Sequence, residues 1–350
     1  MHVTGTLQRE AWAASVLPPV ERVRPGLWSI PVPLPDSPLR YVLVYALELD
    51  DGVALVDAGW DTPEAWDALT DGLAVAGGTV ADVRAVVVTH IHPDHYGLAG
   101  RVREASGAWI GLHEADAALL RRRYVETEEL VSSMSDLLEV CGVPTELVPD
   151  LASSSMQIRS FVRMAPPDHL IADGEALALP GWDLRAVWTP GHSPGHLCFH
   201  SPSRRLVLSG DHVLPRISPN IAVHSQQIHN PLADYLESLG TVERLECDEV
   251  LPGHEWRFAG LADRTAELRE HHRVRLEEVT AELAGGALTC WELTTRLTWS
   301  RPLDTSSAFI QRAASGETLA HLVLLEARGE VVRTPGRPAT FALADGRAAS

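Results

Sequence analysis

The chain is expected to be an α/β protein, and two observations carry that expectation. Short runs rich in β-branched residues alternate along residues 27–260 with stretches of helical character, and no internal repeat is visible. Four histidine- and aspartate-bearing motifs each begin just past such a run: T-H-I-H-P-D-H-Y-G at 89–97, P-G-H-S-P-G-H at 190–196, S-G-D-H at 209–212 and P-G-H-E at 252–255. Side chains placed just beyond strands can converge on one edge of a rigid sheet.

Residues 27–57 read as strands, with a hairpin turn at Asp50-Asp51-Gly52 between Tyr41–Leu49 and Val53–Val56. Asp61-Thr62 opens a helix over Pro63–Ala76, with proline in its first turn. The apolar run Arg84–Val88 is the strand that feeds the first motif. A helix over His95–Ser106, a strand over Trp109–Leu112 and a helix over Glu114–Tyr124 follow. Strands return from about Leu177 through Leu208, and Asn230–Leu245 and Leu261–Ala284 read as helices.

Residues 125–168 interrupt this alternation and are longer than a connection requires. Leu130, Met134, Leu137, Leu138 and Cys141 recur at helical spacing, so this insertion has one apolar face. It is expected either to pack on the core as a helical hairpin or to serve as a lid whose face meets substrate. Methionine suits irregular apolar ligands. The preceding Arg121-Arg122-Arg123 run reads as a solvated helix face, with anchoring of a substrate phosphate or carboxylate as the sharper alternative.

Residues 261–350 read as a second unit after a catalytic domain at 1–260. Thr289 caps a helix over Trp291–Leu297. Thr305 or Ser306 opens another, which Glu317–Arg328 continues beyond Gly316. Val331–Arg333, a T-P-G-R-P turn and Thr340–Leu343 form a hairpin wing. The unit supplies apolar helices and no metal-competent motif. It is therefore expected to matter more for solubility or assembly, including a homodimer contact, than for chemistry.

The motifs carry the chemistry. His90, His92, Asp94 and His95 place four metal-competent side chains within six positions, and imidazole nitrogen and carboxylate oxygen are ligands that Zn²⁺ accepts. The spacing lets His90 and His92 face one ion while Asp94 and His95 face another. At these four motifs, in this order, the chain resembles the metallo-β-lactamase-fold superfamily, and within it the glyoxalase II-like branch, over roughly residues 20–260. The resemblance implies a four-layered αβ/βα sandwich. It implies that His90, His92 and His192 hold a first metal and that Asp94, His95 and His254 hold a second. Asp211 would bridge the two. Asp57, in L-V-D-A-G, would orient a ligand histidine, and His196 would support the site without binding metal. The C-terminal unit resembles the winged-helix extension of one branch, which includes a mitochondrial endoribonuclease and thioesterases of polyketide pathways.

The implied cofactor is Zn²⁺, two per chain, with Fe or Mn as alternatives. The implied reaction is hydrolysis of a thioester or another activated ester, lactones included, by a hydroxide shared between the metals. Asp211 would fix the metal pair and Asp94 would help to orient the nucleophile. A thiolate leaves without a general acid, whereas an amide nitrogen needs one; Tyr96, His224 and His229 are the candidates for such an acid. True β-lactamases of this fold lack the bridging aspartate, and flavo-diiron relatives have glutamate where His92 sits. A metal-dependent phosphodiesterase acting on RNA and a mononuclear iron persulfide dioxygenase remain alternatives.

Composition narrows the partners. With 47 acidic and 29 basic residues the net charge is −18, which repels nucleic acid and anionic membranes. Every basic residue is arginine, so no lysine nucleophile or Schiff base is available. The supposed recognition helix, E-T-L-A-H-L-V-L-L-E-A-R, has no basic stripe. A small-molecule substrate with an apolar acyl portion is expected instead. Cys141, Cys198, Cys247 and Cys290 form no C-x-x-C pair, which fits a reducing cytoplasm. Neither a signal peptide nor a membrane span is read near the N-terminus.

Overall fold

The computed structural model describes residues 1–226 and 230–344. Two sheets lie face to face. The first has seven strands in the order Glu21–Arg24, Leu27–Pro33, Tyr41–Leu49, Gly52–Val56, Val83–Val87, Trp109–His113 and His169–Ile171. Its first four strands are antiparallel neighbours and the remainder join in parallel. The second has six strands in the order His2–Val3, Phe258–Ala259, Glu249–Pro252, Leu206–Gly210, Leu197–Ser201 and Arg185–Trp188. Only its Leu206–Gly210 and Glu249–Pro252 strands pair in parallel.

Strand alternation makes the layers. Leu43, Tyr45, Leu47, Val56, Ala85 and Val87 point from the first sheet into a core shared with Leu197, Phe199, Leu206, Leu208 and Leu251 of the second. The residues between them point the other way. Val42, Val44, Ala46, Leu55 and Val86 pack beneath Ala65, Leu69 and Leu73 of the helix Pro63–Val75. That helix begins where the Thr62 hydroxyl accepts the Ala65 N–H, with Pro63 in its first turn. On the far face of the second sheet, Cys198, Val207, Val250 and Phe258 meet Leu232, Tyr235 and Leu239 of Pro231–Glu243, and Leu268 and Val279 of Leu261–Leu283. The result is helix, sheet, sheet, helix.

Three local readings need correction. The helix expected over His95–Ser106 is two helices, Pro93–Tyr96 and Ala99–Ser106. Glu114–Tyr124 likewise divides into Glu114–Ala117 and Leu120–Tyr124. The cap expected at Thr305 or Ser306 falls on Ser307, whose hydroxyl accepts the Ile310 N–H, and the helix Ala308–Ala327 runs unbroken through Gly316. Gly316 is tolerated there because that turn packs tightly against Ala222 and Val223.

The insertion supplies helices Thr127–Cys141 and Val148–Ser153. Its apolar face packs against the C-terminal region. Met134, Leu138, Cys141, Val148 and Leu151 are buried in one cluster with Cys290, Leu293, Leu319 and Phe341. Polar contacts reinforce that seam: the Ala339 N–H donates to the Val140 carbonyl, and Arg337 pairs with Asp136 and Glu139. The C-terminal region itself comprises helices Cys290–Arg296 and Ala308–Ala327 and a three-stranded antiparallel sheet, Leu288–Thr289, Thr340–Leu343 and Val331–Thr334. Thr289 and Glu292 form the reciprocal cap that opens the first of these helices. Among the described residues no helix is long and apolar enough to cross a membrane, and all four cysteines are free thiols.

Candidate metal centre

The histidine and aspartate motifs meet along one edge where both sheets end. Asp57 follows the strand Gly52–Val56, and His90, His92, Asp94 and His95 follow its parallel neighbour Val83–Val87. Asp211 and His254 follow the parallel pair Leu206–Gly210 and Glu249–Pro252. His192 lies on the turn between Arg185–Trp188 and Leu197–Ser201. Parallel strands deliver their C-terminal ends to the same side, which is why loops distant in sequence converge here.

His90, His92 and His192 form one cluster, and Asp94, His95 and His254 form another; within each, the ligand atoms all lie within 4.8 Å of one another. His90, His95 and Asp211 satisfy the same limit, so the clusters are contiguous. His90 Nε2 and His92 Nδ1 are 2.9 Å apart. Asp211 faces both clusters: its Oδ2 is 3.6 Å from His192 Nε2, and its Oδ1 is 3.4 and 3.3 Å from His95 and His254 Nε2. Asp94 Oδ2 lies 3.3 Å from His254 Nε2.

The donor set fits divalent metal. His95 Nε2, His192 Nε2, His254 Nε2 and Asp211 Oδ1 are buried polar atoms without a hydrogen-bond partner among the described residues. Buried polar groups are almost always paired, and these four point at one small region. The opposite nitrogen of each imidazole is tied down, leaving the inner nitrogen to face the shared region. Nδ1–H of His95 donates to Asp57 Oδ2 at 2.7 Å, that of His192 to the Asn220 carbonyl at 2.9 Å, and that of His254 to the Tyr41 carbonyl at 2.8 Å. His90 Nδ1 meets the Thr89 hydroxyl at 3.0 Å, and that hydroxyl donates to Asp57 Oδ2 at 3.0 Å. Asp57 thus steers two imidazoles, one directly and one through Thr89. It does so from a left-handed backbone conformation with φ of 65°, which aims its carboxylate back at the motif.

His196 is arranged differently. Its Nε2 accepts the Asp211 backbone N–H at 3.2 Å, so Nδ1 carries the proton and faces the Thr189 hydroxyl at 2.8 Å. Both nitrogens are engaged away from the clusters, and the side chain instead holds the backbone of Asp211. His212 is fully buried against the rings of Tyr235 and His196, turned from the centre.

Electrostatics separate the clusters. Burial, with the neighbouring imidazoles, holds His90 and His92 well below the ordinary histidine range, so both are neutral lone-pair donors. In the other cluster burial also acts to lower the histidines, but the carboxylates prevail. Asp57, Asp211 and Asp94 hold His95 well above its ordinary range, and Asp211 and Asp94 push His254 up to about 10. Asp57 and Asp211 are buried and Asp94 half-buried; carboxylates so close together call for compensating positive charge, from imidazolium protons or from a cation.

Three positioning groups escaped the sequence reading. The Thr89 hydroxyl links Asp57 to His90. Asp116, fully buried on the short helix Glu114–Ala117, clamps two ligand loops together. Its Oδ2 accepts the Ile91 N–H and the Ser193 hydroxyl, each at 2.8 Å, and its Oδ1 accepts the Gly195 N–H at 2.7 Å. Gly195 is required by that clamp, since a Cβ there would lie 2.6 Å from the Asp116 nitrogen. Gly253 is required beside His254, where a Cβ would come within 2.7 Å of the His95 ring and 2.9 Å of Asp211 Oδ1. The third group is Asn220. Its carbonyl holds His192, while its amide reaches the Ala313 carbonyl and Glu317 Oε2 of the helix Ala308–Ala327. The C-terminal region therefore touches the centre indirectly, although it supplies no ligand.

A small cleft opens beside His92 and His192 and is also lined by Leu119, Arg123, Ser193, Pro194, His224 and Gln226. The acid candidates fare poorly around it. The Tyr96 hydroxyl is buried against the backbone of Ala165, whose N–H it accepts at 2.9 Å, and burial pushes it up to about 12. Burial, together with the charges of Arg123 and Arg312, pushes His224 down to about 3. His229 lies outside the described residues.

The sequence profile of the metallo-beta-lactamase superfamily matches residues 37–254, which span every one of these metal-competent side chains. The chain belongs to that superfamily. It is 28% identical over 308 residues to the probable metallo-hydrolase YqjP of Bacillus subtilis, covering 85% of this chain and 92% of that protein. The crystal structure of metallo-beta-lactamase family protein TTHA1429 from Thermus thermophilus superposes with a TM-score of 0.81 at 35% identity, covering 92% of this chain and all of that one. A beta-lactamase domain protein from Burkholderia ambifaria gives a TM-score of 0.77 at 31% identity, covering 93% of each. The similarity to these superfamily members extends beyond residue 254, so the C-terminal helices are part of what is shared.

Proposed function

We propose that this metallo-beta-lactamase superfamily hydrolase cleaves an activated ester, a thioester first of all and lactones included, at a centre of two divalent metal ions. His90, His92 and His192 would hold one ion, and Asp94, His95 and His254 the other, with Asp211 between them. Divalent ions at such a centre lower the pKa of water toward neutrality and polarise a carbonyl, chemistry that Zn²⁺ supplies well. The chain's own residues do the rest. Asp57, Thr89, Asn220 and Tyr41 fix the imidazoles through their outer nitrogens. Asp94 and Asp211 present carboxylate oxygens that can accept a proton from an attacking water.

The observation that carries the ester reading concerns the leaving group. Among the described residues around the cleft, leaving aside the proposed metal ligands, none is an acid protonated near pH 7 and free to give that proton up. The Tyr96 and Tyr124 hydroxyls are bound to backbone, and His224 is neutral. A leaving thiolate, whose parent thiol ionises near pH 8.5, needs no proton; an amine leaving group does.

The C-terminal helices and hairpin, read from sequence as a winged-helix-like extension, have a chemistry that favours packing over RNA. Leu319, Leu322 and Leu325 of the supposed recognition helix are buried, and Arg337 of the wing is committed to Asp136 and Glu139. The deciding experiment is metal analysis of the purified protein, followed by turnover on acyl-thioesters, lactones, β-lactams, phosphodiesters and persulfides. Two divalent ions per chain with thioester or lactone turnover is the expected result. A single iron with persulfide oxidation, or phosphodiester cleavage alone, would replace this reading.

A further inference from the structure

We propose that Arg123 is a substrate-recognition residue and that the ester cleaved here carries an anionic group, a carboxylate or a phosphate, close to its scissile bond. The proposal rests on the hydrolase reading above and narrows its substrate class.

The three consecutive arginines on the helix Leu120–Tyr124 have different fates. Arg121 pairs with Glu126 at 2.8 Å and Arg122 lies 4.0 Å from Glu129, both on the exposed surface. Arg123 turns inward instead. It is half-buried, lines the cleft beside His92 and His192, and has no carboxylate within ion-pair distance among the described residues. Its guanidinium meets the Tyr124 hydroxyl and acts on the Asp116 charge without forming an ion pair, and a partly desolvated guanidinium with no ion-pair partner is costly.

The nearby carboxylates are already engaged. Asp116 spends its oxygens on Ile91, Ser193 and Gly195, and Asp94 faces His254 and His95. A second guanidinium adds to the positive field. Arg312 reaches toward this region from the helix Ala308–Ala327, held by the Ser155 hydroxyl at 2.9 Å, and burial with the charge of Arg123 pushes it down to about 10. In a chain of net charge −18, this is a local positive site at the entrance to the centre. A guanidinium offers a planar fork that matches carboxylate and phosphate oxygens. Leu119 and Pro194 line the same cleft with apolar surface.

The test compares S-acetyl thioesters of mercaptoethanol, mercaptoacetate and mercaptoethyl phosphate, which carry no charge, a carboxylate and a phosphate, with the mono-succinyl thioester of mercaptoethanol placing the anion on the acyl side. The metal-loaded enzyme should favour at least one anionic substrate over the neutral one by about tenfold or more in kcat/KM. Arg123→Gln should abolish that preference through KM, and Arg123→Lys should restore part of it. Succinate and inorganic phosphate, titrated calorimetrically into the same two proteins, give a reading independent of turnover. At least one should bind the native enzyme about tenfold more tightly than Arg123→Gln. Equal kinetics and equal calorimetric affinities would overturn the proposal. If no thioester is cleaved, the hydrolase reading falls, and the calorimetric comparison still decides the role of Arg123.

Discussion

The His90–His92–His192 cluster and the Asp94–His95–His254 cluster lie side by side against the same Asp211, and both are buried, yet the same burial acts on them with opposite results. In the first, imidazoles face imidazoles and are held neutral. In the second, Asp57, Asp94 and Asp211 surround the imidazoles and keep protons on them. The first cluster is ready to donate lone pairs at neutral pH. The second must exchange protons for a cation, so its occupancy should depend more steeply on pH.

The most severe way to break this pairing is to remove the group both clusters share. Asp211→Ala should lower the metal count below two and reduce turnover by about two to three orders of magnitude, the scale for losing a group that stabilises the transition state. Mass spectrometry of native and variant protein, with kcat/KM, checks this; two ions and near-normal turnover would remove Asp211 from the centre. Asp116→Ala should follow at about ten- to a hundredfold in metal affinity or activity, as expected when a partner that orients ligands is lost. Its effect should fall mainly on the His90–His92–His192 side, because Asp116 binds the loops bearing Ile91 and Ser193.

The charge contrast can be sharpened by pH. After chelation, His254 keeps its proton to about pH 10, whereas an unfolded histidine releases it near 6.5. The resulting stabilisation is complete below about pH 6.5 and is lost as pH rises through 10. Chelated protein should therefore melt at progressively lower temperature from pH 7 to 10. His254→Ala should flatten that dependence, and metal addition at pH 7 should release protons that a weakly buffered titration detects. A chelated protein whose Tm does not fall over this range would count against the protonated second cluster.

What could be read from sequence follows from how each residue acts. The metal-competent side chains lie in short motifs beside strands, and their identity is their chemistry, so residue type and spacing sufficed to find them. Asp116 was invisible because its partners lie 25, 77 and 79 positions away and an E-A-D-A run looks like helix surface. Asn220 acts on His192 through its backbone carbonyl, which any residue possesses. The sandwich was legible through the motif resemblance rather than through periodicity. Helices broken at Gly97-Leu98 and at Ala118-Leu119 follow tertiary demands that local propensity does not express.

The insertion illustrates the same limit. Its apolar periodicity was visible, but the surface it covers was not. Because Met134 and Leu138 are buried with the C-terminal helices, Met134→Ala should cost about 2–5 kcal/mol of stability. The ratio of long-chain to short-chain kcat/KM should stay unchanged. Denaturant melts alongside that ratio test it, and a shifted ratio in a stable variant would restore the lid. Smallest of all, Glu317→Gln keeps a hydrogen-bonding group beside Asn220 and should change kcat by no more than a few-fold, whereas Glu317→Leu should weaken the hold on His192 more.

The seam between Thr127–Ser153 and the C-terminal helices has a consequence for how such proteins diverge and how they can be recombined. Val140, Asp136 and Glu139 on one side meet Ala339 and Arg337 on the other, around one common apolar cluster. A change of volume on either side must be answered on the other. The two segments, whose paired residues Glu139 and Arg337 lie 198 positions apart in the chain, therefore form a single unit of inheritance. Chimeras that transplant the insertion alone from a relative should inherit a mismatched core, while those that carry both segments together should fold.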